Sequence, residues 1–273
     1  MKKQHDLDAA LAALQDELQK HIAANGRKAE RLFKKLNKEL SYVLTQRADK
    51  DGRISRRSLN TLIKEFDYVL RNARTDLFDQ ITQIVKETAD YSLTEQEAVF
   101  FREVGQSLIS KKLHDAVIEA VVNEQIDARA DDRLQLSDRV WILTSDLHAE
   151  LTKTVTASVL KNQSISEMAA AVAAVHANEA WKIRRLVITE ANTAHRIATG
   201  AAAELSEVVE AIKLNDSRRP HARHTSHTCY ALARADDYGL GAGIYPKDKR
   251  GLLAMPHPQC SSYISYVLRE EYL

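Results

Sequence analysis

Leu7-Asp8-Ala9-Ala10-Leu11-Ala12-Ala13-Leu14-Gln15-Asp16-Glu17-Leu18-Gln19-Lys20-His21-Ile22 puts its large aliphatic residues at 7, 11, 14, 18 and 22. Spacings of four, three, four and four return to one face of a helix, whereas a strand would require a period of two. The same reading extends outward, because residues 1–219 contain no proline and only Gly26, Gly52, Gly105 and Gly200. An all-β fold needs frequent Pro/Gly punctuation, so sandwiches and barrels are excluded for that stretch. All four prolines (Pro220, Pro246, Pro256, Pro258), six of nine tyrosines and both cysteines fall in residues 220–273. The fold class expected is therefore mainly α: an elongated helical body with a small C-terminal α+β module.

Three regions follow from composition: a basic helical arm at 1–57, a helical body at 58–205, and a His/Cys-containing module at 206–273. In the arm, Asn25-Gly26 predicts an interruption, after which Leu32, Leu36, Leu40 and Val43 form a second stripe. Stripes this narrow on polar helices suggest pairing with another helix, and an oligomeric arm. In the body, Tyr91-Ser92-Leu93-Thr94 and the charged run Asp127–Arg133 read as connections. Asn162-Gln163-Ser164 ends one helix, and Ser164 with Glu167 forms a capping box for the next, from Ile165 to about His176. A further helix is predicted from Trp181 to about Leu205. In the module, Val208–Leu214 and Ser261–Leu268 read as strands. Ile264, Tyr266 and Leu268 alternate there with Tyr263, Ser265 and Val267, which predicts two unlike faces.

The net charge of +1 hides an asymmetry: residues 20–57 carry twelve Lys/Arg against four Asp/Glu, whereas residues 76–150 carry sixteen Asp/Glu against seven Lys/Arg. Arg27, Lys28, Arg31, Lys34, Lys35 and Lys38 are candidate nucleic-acid contacts, with solvated helix faces as the plain alternative. The longest apolar run, Met168–Val175, is far shorter than the roughly 18–20 residues a membrane span requires. No apolar core follows Lys2 and Lys3, so synthesis in the cytoplasm without a signal peptide is expected. Asp49-Lys50-Asp51-Gly52-Arg53-Ile54-Ser55 resembles a calcium loop only superficially. Aligning Gly52 with the loop glycine places Arg47 first and Ser58 last, where carboxylates are required. It reads as a turn.

The tail concentrates metal-ligand chemistry. His227-x-Cys229 and His257-x-x-Cys260 together supply four soft-to-borderline ligands suited to tetrahedral zinc, although not at the spacing of a standard finger. A metal would stabilise a module too small for a large core. Three alternatives stand beside it: loop histidines with no ligand, phosphate contacts through Arg218, Arg219 and Arg223, or a Cys229–Cys260 disulfide.

The order of elements over Leu151–Val267 adds a resemblance. A helix, a short turn and a capped helix are followed by Ile188-Thr189-Glu190-Ala191-Asn192-Thr193-Ala194, running to Gly200. Asp216-Ser217-Arg218 and His221 to Cys229 come next, and Pro256-His257-Pro258-Gln259-Cys260-Ser261-Ser262 closes the pattern before a final strand. This resembles the C-terminal half of the phage Mu F-type minor head (head morphogenesis) protein family. Ile188 stands where that pattern has arginine, Leu232 where a Cys-x-x-Cys would place its second cysteine, and Ser262 where the last cysteine falls. A four-cysteine metal site is therefore incomplete, and histidines would have to substitute.

The resemblance implies a structural protein of a tailed bacteriophage, inside the head near the portal, assisting head assembly, DNA packaging or ejection. Its partners would be the portal and major capsid proteins and packaged DNA, with multiple copies per virion and no membrane. No nucleophile elbow, His-Glu-x-x-His or phosphate loop is present, so no catalysis is expected. The alternative is a metal-dependent nuclease built on Asp216, His221, His224 and His227, or a DNA-binding protein acting through residues 20–57.

Overall fold

The computed structural model describes residues 2–126, 134–217 and 224–273. The chain is mainly α, with a small antiparallel sheet near its C-terminus. Its helices are α1 (Lys2–Gln46), α2 (Leu59–Val104), α3 (Lys111–Ile126), α4 (Leu136–Leu160), α5 (Ile165–Leu205) and the short α6 (Thr228–Leu232). The strands are β1 (Val209–Asn215), β2 (Ile244–Pro246) and β3 (Tyr263–Leu268), in sheet order β2-β1-β3. The Asp127–Arg133 run read as a connection lies outside the described residues.

Contacts divide the chain into two compact units. One comprises the described parts of Met1–Asn25, Thr82–Arg133 and Leu186–Leu273, and the other Gly26–Ile81 and Leu134–Arg185. In the second unit, α1 with α2 and α4 with α5 form two helical hairpins. Their loops pair through an antiparallel bridge between Arg53 and Ser164, and the Ile165 amide donates to the Gly52 carbonyl at 2.9 Å. The core is made of stripe residues: Leu36, Leu40, Leu44, Leu62, Phe66, Leu151 and Val155 are all buried. Each fully buried leucine contributes about 1.5–3 kcal/mol. The Asp49–Ser55 segment is a turn, as read: Asp49 Oδ1 accepts from the amides of Asp51 and Arg53, and Gly52 takes φ +66°. The capping box is present too. The Ser164 amide donates to Glu167 Oε2 at 2.8 Å and the Glu167 amide to Ser164 Oγ at 3.3 Å.

Three local expectations fail, the first two because burial outweighs local propensity. Asn25-Gly26 does not break α1. Both residues are buried, and a helical glycine costs only about 1 kcal/mol relative to alanine. The pair marks the division between units instead. Tyr91–Thr94 is not a connection but lies inside α2, where Ser92 and Leu93 are buried. The helices expected to stop near His176 and restart at Trp181 are one, α5.

The first unit is built around α5, which from Thr189 to Ala203 is buried on every side. The stripe on α1 is spent inside the chain: Leu7, Leu11, Leu18 and Ile22 are all buried, and the Gln4 side chain pairs with the outer edge of β3. Gln4 Nε2 donates to the Tyr266 carbonyl and the Leu268 amide to Gln4 Oε1, each at 2.8 Å. That amide occupies backbone groups an edge strand would otherwise leave open. The two unlike faces expected of β3 are not found: Tyr263, Ile264, Ser265, Tyr266 and Leu268 are all buried, because helices cover what would have been the solvent face. Tyr266 donates its hydroxyl to Gln96 and meets Phe100 edge-on at 5.8 Å.

Candidate metal centre

Two segments of the tail converge. The first is the entry to α6, where His227 is the N-cap and Cys229 the second helical residue. The second is the loop His257-Pro258-Gln259-Cys260, which closes as a tight turn: the Cys260 amide donates to the His257 carbonyl at 3.2 Å, and Gln259 has φ +57°. Proline at the second position and positive φ at the third is the pattern of a type II turn. Sequence dictates this locally, since Pro258 presets its φ and Pro256 stiffens the approach.

The result is a cluster. One ligand atom from each of His227, Cys229 and His257 lies within 4.8 Å of the other two. His257 Nε2 is 3.1 Å from Cys229 Sγ, and the rings of His227 and His257 are 4.2 Å apart. Cys260 lies beside this trio, close enough to Cys229 and His257 to influence their protonation, and its sulfur is 2.9 Å from Ser262 Oγ. The hydrogen bond from Cys229 is the largest influence holding Cys260 below the ordinary thiol range, helped by His257 and the Arg196 charge. Cys229, as donor to Cys260 and desolvated, is pushed up. His257 is raised, chiefly by its hydrogen bond with Cys260. Both cysteines are free thiols, each 1% exposed. Three of the four residues singled out in the tail, His227, Cys229 and His257, are thus brought together, with Cys260 adjacent to them.

Arg196 escaped the sequence reading. It is fully buried on α5, donating through Nε to the Ala254 carbonyl at 2.7 Å and through Nη1 to the carbonyls of Cys260 and Ser262 at 3.0 and 3.1 Å. A single guanidinium thereby fixes the backbone on both sides of Cys260, a geometry the planar fork suits. The only advance signal was an arginine inside an alanine-rich helix, which reads equally well as a solvated position. The neighbouring polar set was missed as well. His195 Nδ1 and Ser92 Oγ are 2.6 Å apart, and Gln96 Nε2 donates to Ser92 Oγ and Thr199 Oγ1 at 2.9 and 2.8 Å. Burial holds His195 neutral, its pKa lowered to about 3.

Among the described residues, Asp216 and His224 are not part of the cluster that gathers His227. Asp216 forms ion pairs with His224 and, at 2.7 Å, with Arg234. Partial burial raises its carboxyl, but hydrogen bonds from Arg234 and the Ser217 amide and the nearby His224 outweigh that and hold it low. Its two oxygens are engaged by His224 and Arg234. His221, Arg218, Arg219 and Arg223 lie outside the described residues. On α1, Arg27, Lys28, Arg31, Lys34, Lys35 and Lys38 are all exposed. At 100° per residue they occupy an arc of about 120° opposite Phe33, Leu36 and Leu40.

The chain matches no family model, no curated protein and no solved structure.

Proposed function

We propose that this chain is a non-catalytic structural component of a bacteriophage head, of the minor head protein kind, acting beside the portal during head assembly, DNA packaging or ejection. The observation that carries the reading is the closing loop. The segment Pro256–Ser262, the most specific part of the resemblance, is also where the C-terminal module is tied together, through His257, Cys260 and the buried Arg196. A residue pattern that doubles as the packing centre of its module fits a scaffold better than a reaction site. The ion-paired Asp216 supports the same view, since a hydrolytic metal needs an open position and a free base. No helix among the described residues is long and apolar enough to cross a membrane.

The test is co-production of the tagged chain with the products of its flanking genes. Recovery in sedimenting head-like particles together with a portal subunit is expected, and particles that assemble without the chain overturn the reading. Plasmid incubated with the chain in Mg²⁺, Mn²⁺ or Zn²⁺ should remain supercoiled. Nicking abolished by Asp216→Asn would establish the nuclease instead.

Packaged DNA is the partner suggested by the basic face of α1. Six exposed cations on one helix face, with the apolar stripe on the other, suit a phosphate backbone and carry no base-reading device. If all six contact phosphates, duplex affinity should fall with salt at a log–log slope of about −5. Arg31→Glu, Lys34→Glu and Lys38→Glu together should flatten that slope by about 3. Binding that is insensitive to salt would reject this role.

A further inference from the structure

We infer that His227, Cys229, His257 and Cys260 form a closed, four-ligand structural zinc site that clamps the loop Pro256–Ser262 to the start of α6. The inference stands on the geometry of this cluster and does not depend on the virion reading.

Four observations converge on it. Ligand atoms of His227, Cys229 and His257 already lie within 4.8 Å of one another, although they come from segments nearly 30 residues apart. Zinc bonds of 2.0–2.3 Å in a tetrahedron place ligand atoms about 3.3–3.8 Å from each other, so closure on the ion needs movement of only about 1 Å. His257 is held in the metal-ready tautomer: Nδ1 lies 2.9 Å from the Pro258 carbonyl, so Nδ1–H donates there and the Nε2 lone pair faces Cys229 Sγ. Ligating histidines characteristically donate their other ring N–H to such a carbonyl. Cys260 borders Cys229 and His257 on the same turn, its amide bonded to the His257 carbonyl, and supplies the fourth corner by a larger movement than the other three require. Finally, Arg196 anchors the carbonyls of Cys260 and Ser262 from behind, fixing the direction in which the Cys260 side chain leaves the loop.

Two thiolates and two imidazoles select zinc among the common divalent ions, because hard cations prefer oxygen and copper(II) prefers a flattened field. Four protein ligands leave no coordination position for water, so the ion would be structural. When it binds, the thiols lose their protons to solvent and the two sulfur–metal and two nitrogen–metal bonds replace the present hydrogen bonds. Arg196 is a positioning residue in this scheme, and Ser262, at 2.9 Å from Cys260 Sγ, is a neighbour of the ligand set and not a member.

The experiment uses the full chain, purified under reducing conditions without chelator from cells supplied with zinc. Elemental analysis should give about one zinc per chain. Replacement by cobalt(II) should give sulfur-to-cobalt charge transfer and the intense visible bands of a tetrahedral thiolate site. Cys260→Ser and His227→Ala should each lower zinc affinity at least about 10–100-fold, whereas Ser262→Ala should leave it unchanged. Because a ligand variant can fail to fold, the wild-type chain also answers alone: reversible cobalt bands and a melting temperature that falls on chelation and returns with zinc are expected. A wild-type chain that carries no zinc and gives no tetrahedral cobalt spectrum overturns the proposal, as does a Cys260→Ser variant that binds as tightly as wild type.

Discussion

The two units are stabilised by different means. In the unit of Gly26–Ile81 and Leu134–Arg185, buried leucine and valine stripes form the core, and most charged or titratable groups stay on outer faces, Arg139 and His176 being buried exceptions. In the unit that contains the C-terminal module, the central stretch of α5 buries Thr189, Glu190, Asn192, Thr193, His195, Arg196 and Thr199 among alanines. Apolar packing tolerates approximate fit and substitution by similar volumes. A buried polar network must instead be satisfied group by group, because each orphaned donor or acceptor loses its full solvation. The first kind of core can be read from periodicity. The second kind fixes a particular loop in a particular place, which a metal or partner site requires.

Arg196→Leu would break this contrast most sharply. It strips the carbonyls of Ala254, Cys260 and Ser262 of their donor and should cost about 3–5 kcal/mol in urea denaturation. Arg196→Lys should recover little, because one ammonium cannot span three carbonyls through a planar fork. Leu40→Ala in the apolar unit, at about 2–5 kcal/mol, is the matched control, and should leave the Cys229–Cys260 region intact.

Acid tests both units through one histidine each. Burial lowers His176, beside Phe33, to about 4 and His195 to about 3, from an ordinary value near 6.5. Below pH 6.5 the unfolded chain takes up protons that the folded chain refuses, so stability falls as pH falls and is flat above about 7. Each histidine contributes a slope of about 1.4 kcal/mol per pH unit. His176→Leu should therefore remove about 3 kcal/mol of the loss between pH 6.5 and 4, read as melting temperature against pH. An unchanged acid slope would show that other groups control it.

The smallest effect sharpens how closely α5 is packed. A Cβ on Gly200 would lie 2.8 Å from Arg250 Cβ, while the Arg250 guanidinium is held by Glu124 and Glu204 at 2.9 and 2.8 Å. Gly200→Ala should cost about 1–3 kcal/mol through that overlap, despite alanine's better helix propensity. A stabilised variant would mean the Lys247–Leu253 turn yields easily.

Much of the fold was legible because its signals are local. The stripe at Leu7, Leu11, Leu18 and Ile22, the Ser164–Glu167 capping box, the turn at Gly52 and the confinement of strands to the C-terminal module at 206–273 all follow from side-chain periodicity and backbone chemistry. The residue types of the candidate site were legible as well, since His and Cys at 227, 229, 257 and 260 announce their chemistry without a fold. Helix boundaries were misread at Asn25-Gly26 and at Tyr91–Thr94, where local polarity favoured a break and burial kept the helix intact.

Sequence by itself determined the helical class, the position of the sheet and the candidate ligands, because each depends on residues a few positions apart. Only the tertiary structure decided that Asp216 pairs with His224 and Arg234 while His227 joins Cys229 and His257, and that a guanidinium on a distant helix holds the Cys260 loop. The physical reason is separation along the chain. A hydrogen bond between residues 196 and 260 leaves no periodic trace in sequence, and its strength depends on the burial that only the folded chain supplies.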